Sequence, residues 1–411
     1  MHGTSTGHHG FDADRLARID AFLKERYIDS GLLPHAQILV ARDGEIAHFA
    51  SLGTAREGGG RLADDALFRI ASMTKPITSI AFMMLVEQGK VALDTPVHHV
   101  LPELKQVGVY DGGGGYNNER SVPFLTKPPA RPMLMVDLLR HTSGFTYSFQ
   151  QRTNVDTAYR LLGLERWHGH LTLDQFVAEL GKLPIEFSPG DAWNYSVSTD
   201  VLGAVVQRVS GMELDAFFAE HIFAPLGMAD TFFQVPADKL ERLTDCYTFV
   251  AGKGRVMYDP GATSAWARRP TQLSGGGGLV SSTHDYHRFC RMCLAGGELD
   301  GVRIVGRKTI ELMTMNHLPG NSDLATMSKS LFSEATNAGV GFGLGFAVTT
   351  DVAKTMVPGS AGEYYWGGMF STAFFIDPVE RINMIFMTQM SPSNIYPIRR
   401  ELKTLIYSAL T

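Results

Sequence analysis

Ser72 and Lys75 stand three residues apart in Phe68-Arg69-Ile70-Ala71-Ser72-Met73-Thr74-Lys75-Pro76, and apolar residues follow at Ile77, Ile80, Ala81, Met84 and Leu85. The i, i+3, i+4, i+7, i+8 spacing predicts a buried helix. Proline is tolerated in a first helical turn, so Pro76 sets the start just upstream. Ser72 then lies at or beside the helix N-terminus, on one face with Lys75. Orphan backbone N–H groups and the positive dipole end there favour the oxyanion that forms when a hydroxyl attacks a carbonyl. An ammonium three residues on stabilises the alkoxide or, when neutral, accepts its proton. The plainer alternative makes Ser72 an N-cap and Lys75 a solvated first-turn residue.

Other candidates carry less chemistry. His141, in Leu138-Leu139-Arg140-His141-Thr142-Ser143-Gly144, reads as a structural hydrogen-bonding residue rather than the base of a Ser-His-Asp triad. Pro358-Gly359-Ser360-Ala361-Gly362 misses the G-x-S-x-G nucleophile elbow at its first position, which makes Ser360 a loop residue. His98-His99 and His168-Gly169-His170 lack the helical spacing and carboxylate of a zinc motif. Cys290 and Cys293 form a C-x-x-C, but Tyr286, Phe289 and Met292 around them mark a helix face, so buried thiols are expected and no metal or other cofactor is called for. Ser274-Gly275-Gly276-Gly277-Gly278 lacks the ending of a phosphate-binding loop and points to close backbone packing.

The elements that position Ser72 and Lys75 belong to a long chain. At 411 residues, 44% hydrophobic and 19% charged, the sequence has the makeup of a globular enzyme with a large core. A net charge of −5 supplies no field for a polyanion, so nucleic acid is not an expected partner. The richest apolar run, Ile80 to Val86, falls far short of the ~18 residues of a membrane span. The first ten residues lack the charged and apolar regions of a secretory signal, and three cysteines are too few for a disulfide scaffold, so a cytoplasmic location is expected.

Leu16, Ile19, Phe22, Leu23 and Tyr27 predict an opening amphipathic helix, followed by a hairpin of Gln37–Ala41 and Glu45–Ser51 turning at Asp43-Gly44. The other end mirrors it: Thr372–Ile376 and Ile382–Thr388 form a hairpin, and Ile398, Leu402, Leu405, Ile406 and Ala409 mark a last helix. The economical architecture is α+β: an antiparallel sheet built from both termini and covered by helices, plus a mostly helical lobe. Approximate boundaries give residues 1–92 and 270–411 to the sheet domain and 93–269 to the helical one. The irregular stretch from Tyr110 to Pro132, with four consecutive glycines, is long enough to be a lid or pocket wall. Residues near Phe145 to His170 are also expected to shape the pocket.

Two further segments join Ser72-x-x-Lys75: Tyr195-Ser196-Val197, ahead of a helical pattern at Val201, Leu202, Val205 and Val206, and Tyr365-Trp366-Gly367-Gly368-Met369 before a C-terminal strand. In this order they resemble the serine β-lactamase and penicillin-binding superfamily, specifically class C β-lactamase-like proteins and in particular the family VIII carboxylesterases. Supporting segments are Leu138 to Gly144, Pro225 to Thr231 and Gly276 to Thr283. The resemblance covers nearly the whole chain. It implies that Ser72 is the acylated nucleophile, Lys75 its partner and Tyr195 the phenol that shuttles protons. It also puts Trp366-Gly367-Gly368 where β-lactamases carry Lys-Thr-Gly, as the substrate-binding strand, and aligns the Met369 backbone N–H with that of Ser72 in the oxyanion hole.

Two departures follow. Trp366 replaces a cation that would attract a β-lactam carboxylate with an apolar wall, although a core aromatic is its alternative reading. Val197 stands where the β-lactamase pattern has Asn, and it cannot hydrogen-bond a substrate amide. The expectation is a serine carboxylesterase acting on small-molecule esters of short-chain acyl groups through a Ser72 acyl-enzyme. An acyltransferase, a β-lactamase or D,D-peptidase, and a covalent penicillin-binding sensor without turnover are the alternatives.

Overall fold

The computed structural model describes residues 9–117, 120–121, 123–329 and 337–411. The expected N-terminal hairpin forms: β1 (His35–Arg42) and β2 (Glu45–Gly53) pair antiparallel. Asp43 and Gly44 both take positive φ, 54° and 85°, which matches the turn to the twist of the strands it joins. Five later strands extend the sheet: β3 (Val340–Phe342), β4 (Ala347–Thr349), β5 (Tyr364–Gly367), β6 (Ala373–Asp377) and β7 (Ile382–Met387). The order is β3-β4-β5-β6-β7-β1-β2 and every pair is antiparallel. The two ends of the chain therefore share one sheet, with β1 seated between β2 and β7.

The helices that cover or feed this sheet are α1 (Ala13–Leu23), α2 (Thr74–Glu87), α3 (Ser198–Ser210), α4 (Thr283–Leu294) and α5 (Ile398–Ser408). Alternation along a strand sends successive side chains to opposite faces. Ile38 and Val40 of β1 accordingly pack with Leu16 and Ile19 of α1 and Leu402 and Ile406 of α5. Leu39 and Ala41 face the other way, into the core that holds Ile77 and Ile80 of α2 and Tyr286 and Phe289 of α4. The ends of the chain meet: Asp12 N–H donates to Ala409 O at 2.8 Å and Thr411 N–H to Gly10 O at 3.1 Å. Residues 1–8, on which the absence of a secretory signal was read, lie outside the described residues.

The middle of the chain carries the expected helices, among them Asn154–Leu162 and Leu173–Leu180. It also carries strands that a helical reading passes over. Cys246–Val250 and Gly254–Asp259 form an antiparallel hairpin, and Val109–Gly113 pairs with Phe124–Lys127. The latter ribbon occupies the irregular stretch from Tyr110 to Pro132, of which positions 118, 119 and 122 lie outside the described residues. Its described residues do not line the cavity below, so they form no pocket wall there.

Candidate active site

Ser72 sits in a 3₁₀ turn, Ala71–Met73, between the short strand Leu67–Arg69 and α2. Ala71 has φ of 44°, a left-handed conformation that costs a residue with a Cβ and recurs at functional turns. The turn is held from behind. Arg69 is fully buried and donates to Asp259, to Thr244 O at 2.7 Å and to Gln389 Oε1 at 3.2 Å, with its guanidinium 5.2 Å from the Trp266 ring.

The structure brings Ser72, Lys75 and Tyr195 together. Lys75, 2% exposed, donates from Nζ to Ser72 Oγ at 3.0 Å and to Gly276 O at 2.6 Å. The Tyr195 hydroxyl is 2.6 Å from Ser72 Oγ on the loop that leads into α3. Its ring lies 4.7 Å beneath the Lys75 ammonium and packs against His141, Tyr147, Trp193 and Trp366. Ser72 Oγ thus accepts from both the Tyr195 hydroxyl and Lys75 Nζ, and whichever of the two is in its basic form is within reach to take the serine proton.

Trp366 stands next to last in β5 with its indole N–H 3.4 Å from the Tyr195 hydroxyl; it lines the cavity and also packs against the main core. Glycine at 368 is required by close approach: a Cβ there would lie 2.5 Å from Ile70 O and 2.3 Å from Thr372 Oγ1. The strand end can therefore pass against the Ser72 turn. Arg399 of α5 donates to Gly368 O and Thr372 O, both at 3.0 Å, and braces that turn from behind. Gly367, Gly368 and Met369 line the same cavity as Ser72, and Met369 is 42% exposed at its surface.

The glycine cluster is packed as expected. A Cβ at Gly276 would fall 2.4 Å from Asp200 Oδ2, one at Gly277 2.9 Å from Trp167, and one at Gly278 2.7 Å from Phe233. This closeness couples α3 to Lys75 beside Ser72. Asp200, buried, accepts from Gly276 N–H at 3.1 Å and from Ser274, while the carbonyl of the same Gly276 accepts from Lys75. Burial raises the Asp200 carboxyl above its usual range against the pull of Lys75.

A cavity of about 1530 Å³ opens on Ser72. The expected segment 145–170 does line it, through Tyr147, Phe149, Glu165, Trp167 and others, and Trp266 and Tyr258 add to the aromatic wall. Glu165 and Asp200 escaped the sequence reading because a lone carboxylate in a loop or helix has no motif. Asp200, five residues after Tyr195 on the helix that follows it, offered a faint signal.

His141 is buried, with Nδ1 3.3 Å from Ser196 Oγ, and burial followed by the nearby Lys75 charge holds it well below the usual imidazole range. Cys290 and Cys293 are buried on α4 and burial raises both thiols. Among the described residues no group of three His, Cys, Asp or Glu could hold a metal, and no helix is long and apolar enough to cross a membrane. Ser360 lies in a turn, its carbonyl accepting from Glu363 N–H.

A helix led by Ser72 and Lys75 beside an antiparallel sheet, with a tyrosine and a glycine-flanked strand lining the same cavity, is the arrangement of a serine hydrolase of the class C β-lactamase type. The chain belongs to the Beta-lactamase family, which it matches over residues 19–407. It is 34% identical over 372 residues to Protein Rv1367c of Mycobacterium tuberculosis, covering 89% of this chain and 88% of that one. It is 30% identical over 416 residues to esterase EstB of Burkholderia gladioli, covering 96% of each. Among solved structures it resembles EstCE1, described as a hydrolase with promiscuous acyltransferase activity, with a TM-score of 0.77, 25% identity, and 97% and 99% of the two chains covered.

Proposed function

We propose that this enzyme is a carboxylesterase of the family VIII type, hydrolysing esters of short-chain acyl groups through an acyl-enzyme on Ser72. The observation that carries the reading is the placement of Ser72 Oγ between Tyr195 and Lys75, 2.6 and 3.0 Å away. Ser72 attacks the ester carbonyl, its proton passes to the Tyr195–Lys75 pair, and Tyr195 returns that proton to the departing alkoxide. Backbone N–H groups of Ser72 and Met369 hold the oxyanion. Water then repeats the sequence on the acyl-enzyme and releases the acid. Trp366 and Val197 give a β-lactam carboxylate and amide no partner, which favours acyl esters that carry no carboxylate. Three free buried cysteines suit a reducing cytoplasm.

Ser72→Ala is expected to abolish turnover of p-nitrophenyl butyrate. Fluorophosphonate labelling read by mass spectrometry is expected to mark the Ser72 peptide. Wild-type rates in the variant, or a label elsewhere, overturn the reading. A second outcome, acyl transfer to an alcohol, is favoured by the size of the cavity, which exceeds the ~300–1,000 Å³ of common small-molecule sites. EstB and EstCE1 are an esterase and a hydrolase with acyltransferase activity respectively. Product analysis with added alcohol separates ester from free acid.

A further inference from the structure

Glu165 is a carboxylate that the proposed chemistry does not use. It lines the cavity shared with Ser72, and Ser148 grips it with two donors, the backbone N–H at 2.6 Å and Oγ at 2.9 Å. Those bonds fix its direction but bring no opposite charge. Among the described residues no Lys, Arg or His forms an ion pair with it; Arg160, which lines the same cavity, is taken by Asp156 at 2.8 Å, Thr157 at 2.6 Å and the Ser148 carbonyl, and Arg166, also at the cavity, is exposed. Lys75 acts on it only at a distance, and Lys75 is already engaged by Ser72 and Gly276 O. Four aromatic residues neighbour the clamp along the chain or share its cavity, and two of their rings already have a cation of the protein nearby, Lys75 Nζ 5.4 Å from Tyr147 and the Arg69 guanidinium 5.2 Å from Trp266. Ser148 lies between Tyr147 and Phe149, whose rings stack at 5.0 Å, and Trp167, two residues beyond Glu165, meets Trp266 edge-on at 5.9 Å. All four rings line the cavity.

A partly desolvated carboxylate without a counter-charge is costly to keep, and an oriented one beside aromatic faces is the arrangement that holds a cation. We propose that Glu165 and the rings of Tyr147, Phe149, Trp167 and Trp266 form a subsite for an ammonium group of the substrate, making this an esterase for cationic esters. The proposal rests on the esterase reading above for its reaction and adds the substrate class.

Two isosteric pairs test it. On the alcohol side, butyrylthiocholine is compared with 3,3-dimethylbutyl thiobutyrate. On the acyl side, the p-nitrophenyl ester of 4-(trimethylammonio)butanoate is compared with that of 5,5-dimethylhexanoate. In at least one pair, kcat/KM for the charged member is expected to exceed that of its neutral isostere by about tenfold or more, and Glu165→Gln is expected to erase that ratio. A ratio at or below one in both pairs, or one unchanged in Glu165→Gln, overturns the subsite. Calorimetric titration with choline reads the site without turnover: binding to wild type and to Ser72→Ala is expected, and no binding to either overturns it. If choline binds but neither pair nor p-nitrophenyl acetate is hydrolysed, the esterase reading fails while the ammonium site stands.

Discussion

Replacing Glu165 by Gln is expected to stabilise the protein, and to do so more at high pH than at low. Burial pushes the Glu165 carboxyl from 4.5 up to about 7, against the pull of its bonds from Ser148. A carboxylate whose folded pKa is raised stays protonated in the native state while the unfolded chain ionises, so stability falls as pH rises from about 4.5 to about 7. The shift, at about 1.4 kcal/mol per unit, costs about 3 kcal/mol once both states are ionised at pH 8.5, and about 1 kcal/mol at pH 5.5. Gln keeps the Ser148 contacts, its carbonyl accepting from the N–H and its amide donating to Oγ, and carries no charge at any pH. With an unfolding entropy of about 2.1 cal/mol/K per residue, a gain of about 3 kcal/mol raises Tm by about 3 to 4 °C at pH 8.5 and by about 1 °C at pH 5.5. Differential scanning calorimetry of the two proteins at both pH values reads this directly. A variant less stable than wild type at pH 8.5, or a difference independent of pH, would refute the claim that an uncompensated charge is stored in this wall.

Tyr195→Phe and Lys75→Ala are each expected to lower kcat for p-nitrophenyl butyrate by at least about a hundredfold, because each removes a group touching the Ser72 oxygen; steady-state kinetics checks it. Gly276→Ala drives a methyl against Asp200 and displaces the carbonyl that holds Lys75. Its kcat is expected to fall at least about tenfold while the circular dichroism spectrum is retained. Arg69→Met leaves Asp259 buried without its partner and is expected to cost about 3 to 5 kcal/mol in urea unfolding. His35 is held at about 4 by burial while the unfolded imidazole titrates near 6.5. Its contribution is therefore full above 6.5 and falls by about 2 kcal/mol between pH 7 and 5, and His35→Asn is expected to flatten that part of the stability curve.

What the sequence discloses depends on whether a feature has a local cause. The hairpin at Asp43-Gly44 has one, since two residues of positive φ suit that dipeptide, and its strands fall where alternation and turn chemistry put them. The Ser72 turn also has one, because Pro76 and the helical spacing after it fix where α2 starts. The strands β3 and β4 do not. They are three residues long and set among Gly339, Gly341, Gly343 and Gly345, and only pairing with β5 makes them strands. The hairpin of Cys246–Val250 and Gly254–Asp259 was equally hidden within a stretch read as helical.

At the site, Ser72-x-x-Lys75, Tyr195 and Trp366-Gly367-Gly368 were legible through their order along the chain, and the fold brings them into one cavity. Asp200 and Glu165 were not legible, because their importance lies in burial and in what surrounds them. Neither quantity is written in a residue's neighbours.

The position of β1 has a consequence for synthesis of the protein. Its hydrogen bonds run to β7 on one side, and His35 O accepts from Thr388 Oγ1 across 353 positions of chain. At about 5–20 residues per second, translation takes roughly 20 to 70 s to deliver that partner. For that interval the nascent hairpin has an open, strongly apolar edge, and it can close only when β7 has emerged. Ribosome-associated chaperones are expected to matter more for this enzyme than for a chain whose sheet is completed in order, and loss of residues 409–411 should be felt first at Gly10–Asp12, where α1 begins.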